Sequence, residues 1–201
     1  MTSILKVDTI QDADGNNIIN ESSNTITIGA SGDTTNIIGT LQNDGAAVGG
    51  ANTPAFFVTR GSDQTISDVT TTTVQFDTEI LDTDNCFDNS TNYRFTPTTA
   101  GKYYIFSGCM LNAQADSNLN VFEFYLTQNG TLVSQVTENY ASNQGREIQS
   151  TLNFIVDMNG SSDYIDMKVY CDSVNNGDIL IKGHSSPRAR TFMGGYKLIG
   201  V

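Results

Sequence analysis

Apolar residues in this chain come in short runs, and the runs change character near residue 54. In the first 44 residues they are Ile4-Leu5-Lys6-Val7, Ile18-Ile19, Thr25-Ile26-Thr27-Ile28 and Ile37-Ile38. Turn-forming clusters such as Asp12-Ala13-Asp14-Gly15-Asn16-Asn17 and Ser31-Gly32-Asp33 break them up, and no aromatic residue occurs there. Pieces this short and thin do not bury a core alone. They predict an extended, β-rich arm over residues 1–44, pressed against copies of itself or against another protein. Residues 45–53, from Gly45-Ala46-Ala47-Val48 to Thr53, read as a small-residue linker.

From residue 54 to 201 the pattern is strand after strand. Strands are predicted near 55–59, 72–77, 93–96, 101–110, 121–128, 131–138, 147–157, 163–171, 179–182 and 191–199. Asn129-Gly130, Asn159-Gly160 and Asn176-Gly177 punctuate them, and Asn-Gly suits turns that need positive φ. Ten strands joined by such turns predict an all-β sandwich. Some strands are apolar on both faces. In Tyr103-Tyr104-Ile105-Phe106, alternation puts Tyr104 and Phe106 on one face and Tyr103 and Ile105 on the other. Val121–Leu126 and Phe192–Ile199 read the same way. A half-solvated strand should show a polar face. A second buried surface, between subunits, is therefore expected, with Tyr103, Ile105, Tyr125 and Tyr196 as candidate contacts.

Composition narrows the function. The 201 residues are 38% hydrophobic and only 16% charged, with a net charge of −12. Nucleic acid is not an expected partner, because phosphate binding needs a basic surface. The local exception is the run Lys182, His184, Arg188, Arg190 and Lys197, expected to be solvated or to meet an acidic glycan or a neighbouring subunit. Cys86, Cys109 and Cys171 are too few and too widely spaced for a disulfide framework or a zinc site. Cys109 and Cys171 are expected to be buried free thiols. Met1-Thr2-Ser3-Ile4-Leu5-Lys6 lacks the apolar stretch of a signal peptide, so synthesis in a cytoplasm without export is expected. No apolar run reaches membrane-spanning length, and membrane insertion is not expected.

At the strands the sequence resembles a known family. Ala55-Phe56 with Arg60, Val74-Gln75-Phe76-Asp77, Phe87-Asp88 and Tyr93-Arg94-Phe95-Thr96 follow its order. So do Ala100-Gly101-Lys102-Tyr103-Tyr104-Ile105-Phe106-Ser107, Leu126-Thr127-Gln128-Asn129-Gly130 and Phe192-Met193-Gly194-Gly195-Tyr196-Lys197-Leu198. These are similar to the globular head domain of the first complement component, within the tumour-necrosis-factor-like jelly-roll superfamily. The resemblance implies a jelly-roll β-sandwich and a trimer. Ala100 departs from the family, which often has Pro there, and residues 112–120 and 173–190 are this chain's own. The arm resembles something else. Ser3-Ile4-Leu5-Lys6-Val7-Asp8-Thr9-Ile10, Asp14-Gly15-Asn16 and Thr25-Ile26-Thr27-Ile28-Gly29 look like the start of tail-fibre-like appendage proteins of bacteriophages, especially those of marine cyanobacteria. That resemblance implies attachment to a virion, with Ile4, Leu5, Val7 and Ile10 as candidate contacts, and a thin three-chain shaft.

Candidate chemistry is sparse. The run Asp77-Thr78-Glu79-Ile80-Leu81-Asp82-Thr83-Asp84-Asn85 offers carboxylates that could chelate calcium, but without EF-hand spacing, and it reads as a solvated acidic loop. His184, the single histidine, sits in Gly183-His184-Ser185-Ser186-Pro187 with no nucleophile elbow. No catalytic residue, cofactor or metal ligand is assigned, and the chain is not expected to be an enzyme. The expected function is that of a phage virion protein: a homotrimeric fibre-type appendage made in the host cytoplasm. It would join other virion proteins through residues 1–50, and its jelly-roll head would bind a host-surface glycan or envelope protein. The alternatives are a capsid decoration or head-fibre protein that braces the shell, and a polysaccharide-degrading spike.

Overall fold

The structure is a computed structural model. It describes residues 9–11, 13–15, 17–22, 25–28, 31–39, 41–43, 46–47, 52–114, 119–140, 145–184 and 189–199. The chain divides into two compact units, Met1–Gly50 and Ala51–Val201. No helix occurs among the described residues.

The first unit, the arm, holds β1 (Thr9–Gln11), β2 (Asn17–Ser22) and β3 (Thr25–Ile28), an antiparallel sheet in the order β1-β2-β3. A further pair is made by β4 (Gln42–Asn43) and β5 (Ala46–Ala47). Of the expected attachment residues, Ile10 lies in β1 and is exposed. Ile4, Leu5 and Val7 lie outside the described residues.

The second unit, the head, contains β6 (Ala55–Thr59), β7 (Gln64–Ile66), β8 (Thr72–Thr73), β9 (Thr78–Asp82), β10 (Phe87–Asp88) and β11 (Arg94–Phe95). Then come β12 (Gly101–Asn112), β13 (Leu119–Gln128), β14 (Thr131–Asn139), β15 (Glu147–Met158), β16 (Ile165–Ser173), β17 (Ile179–Ile181) and β18 (Phe192–Lys197). They form two sheets. One runs β10-β11-β16-β13-β14, with β8 also on β16. The other runs β7-β17-β12-β18-β6-β9, with β15 on the far edge of β12. Each of the ten predicted head strands has a counterpart. The prediction missed β7 and β10, which are two or three residues long, and β9, which lies inside the acidic run.

Period-two alternation builds the core between the sheets. β12 turns Tyr103, Ile105, Cys109 and Leu111 inward, β13 turns Phe122, Phe124 and Leu126, and β16 turns Ile165, Met167, Val169 and Cys171. At the centre, Phe56 and Phe95 stack with ring centroids 4.2 Å apart, and the Tyr103 ring meets Phe95 edge-on at 5.6 Å. The Tyr103 hydroxyl donates to the Thr99 carbonyl at 2.7 Å. The β13–β14 hairpin turns on Asn129 and Gly130, both at positive φ (53° and 78°), as its Asn-Gly pair requires. The Asn129 side chain also donates to Asp163 and accepts from the Tyr164 amide, which ties this turn to the start of β16.

Candidate functional site: an aromatic outer face

A strand in a two-layer sandwich has one face in the core and one outside. On the β12–β18–β6 part of the second sheet the outside is also apolar. Register places Tyr104 opposite Tyr196, Gly108 opposite Phe192, and Gly194 between Phe106 and Phe57. The five rings are half-buried and adjoin one another. Centroid distances are 5.7 Å for Tyr104–Tyr196 and 6.2 Å for Tyr104–Phe106. They are 6.5 Å for Phe106–Phe192, 6.1 Å for Phe57–Phe106 and 6.1 Å for Phe57–Phe192.

Glycine is what lets the rings lie on the sheet. A Cβ at Gly108 would stand 2.6 Å from Cε1 of Phe192, and one at Gly194 would collide with the Phe106 ring. Leu81 of β9, opposite Phe57, and Ile155 of β15, opposite Tyr104, extend the face and are 48% and 53% exposed. Beyond Ile155 the polarity changes. Lys102 and Asp157 pair across β12 and β15 at 2.7 Å, with well-exposed side chains. A contiguous apolar patch of this kind on an outer face marks an interaction surface.

Eiger TNF from S. frugiperda superposes with a TM-score of 0.52 at 8% identity, covering 73% of this chain and 93% of that one. Murine APRIL at pH 5.0 gives 0.50 at 15% identity, covering 72% and 99%. The globular domain of zebrafish complement 1qA protein gives 0.49 at 14% identity, covering 72% and 97%. The head has the jelly-roll fold of the first two of these structures. At these identities the likeness is one of fold. No protein-family model matches the chain, and no curated protein matches its sequence.

The jelly roll separates the four residues expected at a subunit contact. Tyr103 and Ile105 are 0% and 1% exposed, inside the sandwich, so they present no surface to another chain. The outward residues of that strand are their neighbours Tyr104 and Phe106. Tyr196 lies on the ring face. Tyr125 is on the outer face of the opposite sheet, where its hydroxyl donates to Glu123. Burial and that acceptor both push the Tyr125 phenol upward. The outer side of β13 is thus mixed, not apolar, because Glu123 stands on it. Phe57 and Phe192 were missed as surface residues; the signal was a glycine across from each aromatic.

The acidic run is not a solvated loop. Residues 78–82 form β9, and Asp77 pairs with Arg60 at 2.8 Å. Asp82 accepts the backbone N–H groups of Cys86 and Phe87. Among the described residues no group of three or more His, Cys, Asp or Glu is set to hold a metal ion. The basic run is also engaged. Lys182 pairs with Asp63, and the His184 amide donates to the Arg60 carbonyl at 2.9 Å. Burial works against the charge of Asp63, but the bonds from Lys182 and the Gly183 amide outweigh it and hold its pKa below the usual carboxylate value. Arg188 lies outside the described residues. All three thiols are buried and free. Burial raises Cys109 strongly and lifts Cys171 to about 12, so neither supplies a thiolate near neutral pH.

An open cleft of about 340 Å³ is lined by Asn85, Cys86, Phe87, Asp88, Asn92, Arg94 and Thr96. Its carboxylate is occupied. Asp88 accepts the amides of Thr91 (2.9 Å), Ser90 (3.1 Å) and Asn92 (3.0 Å), and the Asn92 side chain at 2.7 Å. These bonds, that of Thr91 first, hold it far below the ordinary carboxylate range. Arg94 lies over the Tyr164 ring, 4.2 Å from its centroid. The cleft is a braced turn. Because the Asp88 pKa is depressed on folding, its stabilisation is whole above about pH 4 and is lost as the pH falls through the lower folded value. Asp88→Ala is therefore expected to melt below the parent protein at pH 6, and the gap to narrow towards pH 3. Thermal melts across that range check this; a constant gap would contradict it.

Proposed function

We propose that the protein is a fibre-type virion protein whose jelly-roll heads join as a trimer through the ring face. Its arm attaches the assembly to a phage particle, and the head's outward surface binds a host-surface glycan or envelope protein. The ring face carries this reading. Five adjoining aromatic rings, continued by Leu81 and Ile155, are a large apolar area for a lone soluble domain to leave in water. A second copy brings the same rings. Closed rotational symmetry then lets each copy cover the next. The number three comes from the head's resemblance. The virion comes from the resemblance of the arm, whose exposed isoleucines fit a segment that works in contact with other chains. Linked heads would grip a host surface by several weak contacts at once.

Sedimentation equilibrium of the full chain is expected to give a mass near 65 kDa, three times the 21.7 kDa of one chain. A single species at the mass of one chain would end the reading. Antibody labelling of particles by electron microscopy tests the location, and particles that carry no label would end the virion assignment.

A further inference from the structure

Three Asn-Gly pairs punctuate the head, and each holds the parts of an intramolecular reaction. The glycine backbone nitrogen, once it has lost its proton to water, attacks Cγ of the asparagine before it. Glycine has no Cβ to obstruct that approach. A C–N bond forms and the Cγ–Nδ2 bond breaks. The lost proton returns through water to the departing nitrogen, which leaves as ammonia. Water then opens the five-membered succinimide at one of its two carbonyls and gives aspartate or isoaspartate. Water is the only co-reactant. The reaction does require a carboxamide able to turn and a glycine nitrogen able to meet it.

Two of the pairs are locked. The Asn129 side chain donates to Asp163 at 2.8 Å and accepts the Tyr164 amide at 3.0 Å. Oδ1 of Asn159 accepts the backbone amides of Ser161, Ser162 and Asp163 at 2.9, 2.9 and 3.0 Å, and its Nδ2 donates to Ser162 Oγ at 2.9 Å. Turning either carboxamide forfeits these bonds. Gly160 is also pressed against Ala100, so closely that a Cβ would stand 2.2 Å from the Ala100 nitrogen. Its backbone has no room to move.

Asn176 is held differently. It is exposed, in the connection from β16 of one sheet to β17 of the other. Its backbone amide donates to the Ser173 carbonyl, and among the described residues no hydrogen bond engages its side chain. The restraint falls on the nucleophile instead. The Gly177 amide donates to Ser173 Oγ at 3.1 Å, and that hydroxyl donates back to the Gly177 carbonyl at 3.2 Å. Ser173 is 2% exposed, and its own amide donates to the Asp68 carboxylate at 2.7 Å.

We propose that Asn176 is the deamidation site of the folded head, and that the Ser173 hydroxyl sets its pace by holding the Gly177 nitrogen. The product puts a new carboxylate, or a main chain lengthened by one carbon, into the connection between the two sheets. This holds whether or not the heads associate.

The full chain is kept in mildly alkaline buffer, which favours proton loss from the glycine nitrogen, and is sampled over days. Trypsin separates the three pairs into peptides 103–146, 147–168 and 169–182, and fragment masses locate each conversion of Asn to Asp. Asn176 is expected to convert about ten-fold faster than Asn129 and Asn159, whose carboxamides must first break their bonds. In concentrated urea the three rates are expected to converge. Ser173→Ala is expected to speed Asn176 several-fold relative to the other two, and Ser173→Thr, which keeps the hydroxyl, to restore the parent rate. Conversion of Asn129 or Asn159 as fast as Asn176 in the folded chain would overturn the site. So would the same order and spacing of rates in urea, which would trace the preference to neighbouring sequence. An Asn176 rate unchanged by Ser173→Ala would overturn the role of Ser173. So would a Gly177 amide that exchanges hydrogen in the unsubstituted chain as fast as in a free peptide.

Discussion

Phe106→Glu is expected to give a folded head that no longer associates. Phe106 sits at the middle of the ring face, with Phe57, Tyr104 and Phe192 around it at 6.1–6.5 Å. In one chain the position is half-buried and open to water, so a carboxylate there stays hydrated and the fold tolerates it. In the assembly the same carboxylate would lie among aromatic rings with no cation beside it. An unpaired charge in such a place costs several kcal/mol, which corresponds to more than about a hundred-fold loss of affinity. Sedimentation velocity reads the loss, and thermal melting reads the intact fold. Gln135→Glu adds the same charge at an exposed site on β14, in the opposite sheet, and is expected to leave association unchanged. A Phe106→Glu protein that still sediments like the parent would show that the ring face is not the contact.

Phe95→Ala is expected to do the reverse, weakening the fold and not the contact. Phe95 is wholly buried, stacked on Phe56 and edge-on to Tyr103, and it bridges short β11 to the core. Its loss removes the ring's burial and leaves a cavity that close-packed neighbours fill only in part. The cost is about 3–5 kcal/mol, or roughly 10 °C in melting temperature for a domain of this size. Chemical denaturation should show the midpoint falling with the slope unchanged. At low temperature, where the variant is still folded, association should match the parent. A shift under about 1 kcal/mol would mean the site collapses around the deletion far better than aromatic cores do.

The two variants mark where reading by sequence succeeds and where it stops. The long strands were legible because β12, β13, β15 and β16 alternate over nine to twelve residues and end at marked turns. β9 was hidden because Thr78-Glu79-Ile80-Leu81-Asp82 does not alternate and its acids suggest solvent. Period two divides Tyr103-Tyr104-Ile105-Phe106 into two faces, but it does not say which one is inside when both are apolar. That choice is made by partners far along the chain, Phe95 for Tyr103 and Tyr196 for Tyr104. The register of the arm strands was equally out of reach. Ile10, Ile19 and Ile28 become neighbours through the register of three strands, and a one-residue slip would place them on opposite sides.

β6 lies inside its sheet, with β18 on one side and β9 on the other, and the chain enters the head at its first residue. Tension along β6 from Ala55 therefore loads two ladders of backbone hydrogen bonds lengthwise. The bonds of both ladders share the load together instead of opening one after another from an end. A strand pulled from its end in this way is gripped on both edges.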